Sequence, residues 1–256
     1  MPCGKCIECR LKLSAEWALR CQHESYYHEH NSFITYTYDD EHLKSPYLVK
    51  EDFTRFIKSF RKRLERNEQG SIRFLYSGEY GSNFGRPHFH MLCFGHYPDD
   101  VYCPRRQMNG STLFQSHIHE DIWHKGMITV GSMSGASSAY VAKYSLKKQM
   151  QNTASLPVPD FIQMSRMPGI GYDFYQEFKK SMFDRGFCIQ AGFKKPIPRY
   201  YWRLLREEDK DAFDYYSIKK QGYAKGLQYD LARLDAREKI LLHKLDMKSD
   251  NLFKLE

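Results

Sequence analysis

The sequence lacks any run approaching the roughly 18 to 20 consecutive apolar residues that a membrane-spanning helix needs. It also opens without the charged start and apolar stretch of a secretory leader. Neither insertion nor export is expected, and a soluble protein of a reducing cytoplasm is. Tryptophan is scarce, with three in 256 residues, and Trp17, Trp123 and Trp202 read as packing anchors rather than platforms for stacking bases. Cysteine is present in an odd number: Cys3, Cys6, Cys9, Cys21, Cys93, Cys103 and Cys188. That count, crowded toward the N-terminus, argues against a disulfide framework and fits reduced thiols or a metal site. No internal repeat is found.

What is present is enough to build one large or two small domains with a real core, since 41% of the residues are hydrophobic and 15% aromatic. Lys and Arg number 39 against 31 acids, a formal charge of +8, and the chain carries 19 Tyr and 17 Phe. Cations release counterions from phosphates and aromatic rings stack on unpaired bases, so this balance favours a polyanionic partner.

Hydrophobic periodicity predicts a helix over residues 8–30 ended by Asn31, a strand over 33–38 (FITYTY), and a helix whose stripe is Phe53, Phe56, Ile57, Phe60 and Leu64. Strands over 72–79 and 87–94, separated by the turn residues of GEYGSNFGR, predict a hairpin. Residues 96–117 read as an inserted loop, 127–131 as a strand and 135–149 as a helix. This order predicts an α+β fold, an antiparallel β-sheet with flanking helices placed on one side. The Pro, Ser and Gly residues of the stretch through MSRMPGIG mark a boundary. We therefore expect a domain over 1–150, with a Cys-rich N-terminal helix, then a linker and a basic, mainly helical region over 151–256. In the latter, 172–183 reads as helical, 187–193 as extended, and 207–246 as a charged helix interrupted near Gly222 and Gly226.

Two constellations carry chemistry. In RPHFHMLCFG, His88 and His90 project from one face of a strand, while Phe89, Met91 and Cys93 take the other. Glu79, ending the preceding strand, offers a carboxylate across the hairpin, with Asp39 or Asp40 as substitutes. Two histidines and a carboxylate can hold a divalent metal with coordination sites left over; the same pattern fits two half-exposed histidines on a sheet. In AYVAKYSLKK, helical spacing gathers Tyr140, Lys143, Tyr144 and Lys147 within an arc of about 100°. A Lys beside a Tyr stabilises both phenolate and phosphate, the pattern of an activated nucleophile, and it also describes the edge of an ordinary amphipathic helix.

The outer face of the helix around residue 58 carries Arg55, Lys58, Arg61, Lys62, Arg63 and Arg66, a solvated face or a phosphate contact. Cys3, Cys6 and Cys9 at C-x2-C-x2-C, with Cys21 and His23 downstream, suit a tetrahedral structural zinc, a more remote iron–sulfur cluster, or free thiols.

Taken in order, FITYTYDD, GEYG, RPHFHMLCFG and YVAKYSLKK resemble the motifs of HUH endonucleases that initiate rolling-circle replication. More closely, PCGKCIECRLKLSAEWALRCQHE and MSRMPGIG resemble the replication initiators of gokushovirus-type microviruses, small single-stranded DNA bacteriophages. The resemblance runs over most of residues 2–200 and fades beyond about 205. It implies a ferredoxin- or RRM-like HUH sheet and Mg or Mn at His88 and His90, with Glu79 as third ligand. It further implies Tyr140 and Tyr144 as nucleophiles, assisted by Lys143 and Lys147. The implied activity is a metal-dependent DNA endonuclease and strand transferase in the host bacterial cytoplasm. Its partners would be single-stranded or unwound viral origin DNA together with the host polymerase and helicase, and Arg86, Arg55, Lys58, Arg61 and Lys62 would be DNA contacts. Family members commonly carry a segment ahead of PCGKC, so a strand is expected to be missing from the N-terminus. The competing reading is a non-catalytic, zinc-stabilised nucleic-acid-binding module.

Overall fold

In β1 (Asn31–Thr37) every second side chain is buried, as expected of a strand covered more heavily on one face than the other. The computed structural model, which describes residues 6–81, 84–107, 110–135, 156–224 and 231–252, places this strand at the centre of a seven-stranded sheet. Its companions are β2 (Arg73–Tyr80), β3 (Pro87–Phe94), β4 (Val101–Arg106), β5 (Thr112–Ser116), β6 (Ile128–Ser132) and β7 (Phe161–Met164). The order is β4-β5-β6-β1-β3-β2-β7, and each neighbouring pair is antiparallel. The α+β class is thus the one the sequence predicts.

One face is closed by α2 (Lys50–Arg66), which buries the expected stripe of Phe53, Phe56, Ile57, Phe60 and Leu64. Phe53 meets Tyr76 at 4.4 Å, Phe89 at 4.7 Å and Tyr36 at 5.1 Å between ring centroids. Truncating such a ring to Ala typically costs about 3–5 kcal/mol. The short α3 (His117–Trp123), which the sequence analysis did not separate from its surroundings, is capped by Ser116. It delivers Trp123 to this core, where the indole Nε1 donates to the Thr37 carbonyl at 2.8 Å.

The second face is not bare, which corrects the placement of helices on one side. Here α1 (Ile7–Ser25) brings Cys21 and Trp17 against Leu75, Leu92, Phe94 and Ile170. It ends at Ser25 rather than near residue 30. Asn31 does close the turn, its side-chain amide donating to the carbonyls of Ser25 at 3.3 Å and His28 at 2.7 Å, but from the first position of β1.

Residues 96–117 are not a loop. They form the β4–β5 hairpin, whose mostly exposed β4 carries Pro104, a left-handed Cys103 at φ 51° and a register shift between Tyr102 and Arg105. An edge strand with a proline and a bulge has little alternation, which is why its sequence reads as a loop. Beyond residue 150, β7 pairs with β2 through Leu75 opposite Met164 and Gly78 opposite Phe161, so the sheet takes its last strand from the segment read as linker. Gly78 is what lets it in, since a Cβ there would stand 2.7 Å from the Phe161 ring.

The rest is mainly helical: α4 (Tyr172–Arg185), the hairpin β8 (Cys188–Gln190) and β9 (Phe193–Lys195), α5 (Arg199–Glu208), α6 (Lys210–Ala224) and α7 (Leu231–Leu252). Tyr175, Met182, Phe183, Tyr201 and Leu205 from α4 and α5 form a further core that reaches back to Leu19 of α1. At that junction sits Glu24, almost fully buried. It accepts from the Gly171 amide at 2.6 Å and pairs with the Arg73 side chain of β2. Burial pushes its carboxyl up, but His28, the Gly171 amide and Arg73 together hold it below the ordinary range.

A carboxylate held low contributes stability at neutral pH and loses it as pH falls through its folded-state value. We expect Glu24→Gln to destabilise the protein at pH 7 by about 1–3 kcal/mol, measured by urea unfolding. The difference from wild type should shrink as the pH drops below the usual carboxylate range; an equal difference at every pH would show that the charge plays no part.

Candidate functional site

Because β3 runs between β1 and β2, each of its side chains has a neighbour on either flank. The register sets Glu79 opposite His88 and Ser77 opposite His90 on one flank, and Thr35 opposite His90 on the other. Residues two apart on a strand point the same way, and the His88 and His90 rings stand together, centroids 4.8 Å apart. Both are on the α1 face of the sheet, since the intervening Phe89 belongs to the α2 core. Their Nε2 atoms converge on one carboxylate, 3.6 Å from His88 to Glu79 Oε2 and 3.4 Å from His90 to Glu79 Oε1. One ligand atom from each of the three lies within 4.8 Å of the others, and no other such cluster of metal-ligating groups occurs among the described residues.

The surrounding contacts aim these groups. His88 Nδ1 lies 3.1 Å from the Arg86 carbonyl. A carbonyl only accepts, so Nδ1 carries the proton and Nε2 keeps its lone pair for a ligand. His90 Nδ1 lies 2.8 Å from Thr35 Oγ1, and its ring stacks on Phe33 at 5.5 Å. Ser77 Oγ donates to Glu79 Oε1 at 3.3 Å. Glu79 is fully buried and His90 nearly so, whereas His88 is half-buried, so solvent reaches the cluster past His88. Thr35, Ser77 and Phe33 were not singled out from the sequence. For Phe33 and Thr35 the signal was the alternation of FITYTY, which puts both on one side of β1.

Arg86 stands between β1 and β3. Its guanidinium binds Asp40 Oδ1 at 2.6 Å and the Tyr38 carbonyl at 3.0 Å, tying the start of β3 to the end of β1. Asp39 in turn binds His42 Nδ1 at 2.7 Å. The two substitute carboxylates are thus engaged elsewhere, and Glu79 is the one beside the histidines. Arg55, Lys58, Arg61 and Lys62 are exposed on α2, whose buried side covers the opposite face of the sheet. Arg61 also stacks over Phe74 at 5.1 Å.

Of the open readings for the N-terminal cysteines, a zinc site that takes both Cys9 and Cys21 does not fit the structure. Cys9 and Cys21 lie on the same helix, α1, twelve residues and so about 18 Å apart, too far to share an ion. Cys21 is buried among Leu75, Leu92 and Phe94, and burial pushes its thiol up to about 12. A helix spanning both positions keeps them apart, since ligands on one helix converge only within about a turn of each other. Cys6 caps the start of α1, while Cys3, like Tyr140, Lys143, Tyr144 and Lys147, lies outside the described residues. Cys93 and Cys188 are buried, as core residues should be.

Among the described residues no helix is long and apolar enough to cross a membrane. No solved structure gives a significant match to the chain. A family model described as replication-associated protein ORF2/G2P matches residues 31–149, the span that holds β1 to β6. The replication-associated protein VP4 of Bdellovibrio phage phiMH2K is 34% identical over 243 residues, covering 93% of this chain and 76% of that protein. The replication-associated protein ORF2 of Spiroplasma virus 4 is 36% identical over 240 residues, 88% of this chain and 74% of its own length. ORF4 of Chlamydia phage 1, also a replication-associated protein, is 28% identical over 216 residues and is covered over 54% of its length. With two relatives above 30% identity aligned over about three quarters of their lengths, the chain belongs to the family of bacteriophage replication-associated proteins.

Proposed function

We propose that this protein initiates rolling-circle replication of a small single-stranded DNA genome, nicking single-stranded or unwound origin DNA by tyrosine attack and later rejoining the strand. The observation that carries this reading is the convergence of His88 and His90 Nε2 on the Glu79 carboxylate in a chain of replication-associated kinship. Two imidazoles and one carboxylate fit a divalent cation with positions left open, and the mixed donors suit Mn at least as well as the all-oxygen preference of Mg. A cation held there would withdraw charge from the scissile phosphate.

The remaining work falls to the chain. The hydroxyl oxygen of Tyr140 or Tyr144 bonds to phosphorus as the bond from phosphorus to the 3′ oxygen breaks. The phenol proton is passed on, and the departing oxygen ends as a free 3′-OH able to prime a host polymerase. The strand's 5′ phosphate stays on the tyrosine, and Lys143 and Lys147 offset the phosphate charge. A second tyrosine allows a new cut while the first still holds an end. The α2 cations, on the far face, contribute only long-range attraction to the strand, screened beyond about 8–10 Å at physiological salt.

Two measurements test this. Thr35→Val keeps the shape at β1 but removes the oxygen on His90 Nδ1. Loss of such an outer partner costs roughly 10- to 100-fold in metal affinity, to be read by calorimetric titration with Mn. Unchanged affinity would separate the triad from metal binding. On a denaturing gel, wild-type protein with labelled single-stranded origin DNA and Mn should give a covalent adduct. Tyr140→Phe or Tyr144→Phe alone should keep one round of cleavage and impair rejoining, and the double change should abolish the adduct while leaving the fold intact. An adduct persisting in the double variant would overturn the assignment, and no wild-type cleavage would leave a DNA-binding module.

A further inference from the structure

On the same face of the sheet as the histidine pair, a cavity of about 550 Å³ opens between α1, the segment following β7 and the start of α5. Four arginines line it, Arg20, Arg166, Arg199 and Arg203, against a single glutamate, Glu16. Glu16 is itself engaged by Arg199 at 3.2 Å. Arg166 and Arg203 are exposed, and Arg203 also approaches Glu207 at 3.7 Å.

Arg20 is more than nine-tenths buried, an expensive position for a guanidinium. Its Nε donates to the Ile170 carbonyl at 3.0 Å. Its charged head is sandwiched between two rings, 4.2 Å from the centroid of Trp17 and 4.0 Å from that of Tyr200. Tyr200 is fixed in turn by the Gly169 amide, which donates to its hydroxyl at 3.1 Å. The result is a preorganised stack of two aromatic planes and a cation, ringed by further cations, at the mouth of a concavity the size of a small-ligand pocket.

We propose that this cavity seats a nucleotide of the single-stranded DNA on which the chain acts, its phosphates met by Arg166 and Arg203 and its base by Trp17 or Tyr200. Stacking on aromatic planes engages unpaired bases, and a cationic rim tracks the backbone, which is the chemistry of single-strand binding. A duplex keeps its base faces inside and is too broad for the cavity. Position agrees. Met164 on the cavity wall lies opposite Leu75, two residues along β2 from Ser77, the partner of His90, and four from Glu79, the partner of His88, so the cavity lies about 7 to 14 Å from the histidines along the strands. That is the length of roughly two to four stacked nucleotides at about 3.4 Å each. The cavity would therefore hold the strand on one side of the cleaved phosphate and set its register. This inference rests on the reading of the chain as a single-strand nickase, and deepens it.

The test is binding of a fluorescein-labelled thymidine 12-mer followed by anisotropy in EDTA, where no cleavage competes, over a range of salt concentrations. Removing two phosphate contacts with Arg166→Ala and Arg203→Ala together should lower the salt slope by about 1.4 and weaken binding roughly 20-fold at 0.1 M salt. A matched loss of two remote exposed cations, Lys180→Ala with Lys210→Ala, should leave both values near wild type. Wild-type binding and slope in the arginine variant would overturn the proposal, as would thymidine monophosphate displacing the 12-mer at concentrations comparable to the 12-mer's own affinity. A second readout does not depend on the variants folding. Photocrosslinking of a 5-iododeoxyuridine oligonucleotide to wild-type protein should label the peptides holding Trp17 or Tyr200, and adducts confined to other peptides would sink the idea. The nickase reading is judged apart, by the adduct formed with Mn. If no adduct forms but binding depends on the arginines, the cavity stands and the nickase reading falls; if the adduct forms and binding ignores them, the reverse holds.

Discussion

A slip of β3 by one residue between its neighbours would turn His88 and His90 onto the α2 face and bring Phe89 to the other. Everything chemical about the molecule depends on that register. It is pinned from several directions: Phe89 fits among Phe53, Tyr38 and Trp123, Thr35 meets His90, and Arg86 ties the start of β3 to the end of β1. The aromatic packing of one face therefore fixes the polar geometry of the other. A central strand gains this from both neighbours at once, which an edge strand would not.

The second organising element is α1, which belongs to two cores. Its Cys21 packs with the sheet, while its Leu19 packs with α4 and α5. Glu24, at its end, receives β2 through Arg73 and the chain entering α4 through the Gly171 amide. The C-terminal helices are thereby coupled to the same sheet that positions the histidines, and the arginine-lined cavity lies at this seam. His23 shows how far the seam is dried. Its ring stacks on Phe174 at 3.6 Å, and burial pulls its pKa down to about 3, keeping it neutral at physiological pH.

The parts of this architecture that could be read from the sequence are those with strong periodicity. The stripe from Phe53 to Leu64 specified α2, and the alternation of RPHFHMLCFG with the turn residues before it specified the hairpin that unites Glu79 with the histidines. Elements too short or too irregular to show a period were missed. β7 has four residues, α3 has seven, and β4 is interrupted by Pro104. The helical layer on the second face was missed for another reason, since nothing in the sequence of α1 says which side of a sheet it will cover. In the case of Cys21, two patterns competed for the same residues. The helical spacing of Leu11, Ala15, Ala18 and Leu19 won over cysteine counting, because an apolar burial site raises the thiol pKa instead of lowering it toward the thiolate a metal needs.

The irregularity of β4 has a consequence for how molecules of this protein meet. An exposed outer strand offers unpaired amides and carbonyls to any other strand, including that of an identical molecule. Here the template is spoiled along its length. Pro104 withholds a donor, Cys103 bends the backbone out of the extended region, and Arg105 with Arg106 sets like charge against like in any paired copy. A strand that could not be recognised as one from its sequence is, for the same reasons, a poor template for another copy, and this margin of the sheet is protected from pairing by its own residues rather than by any covering element among the described residues.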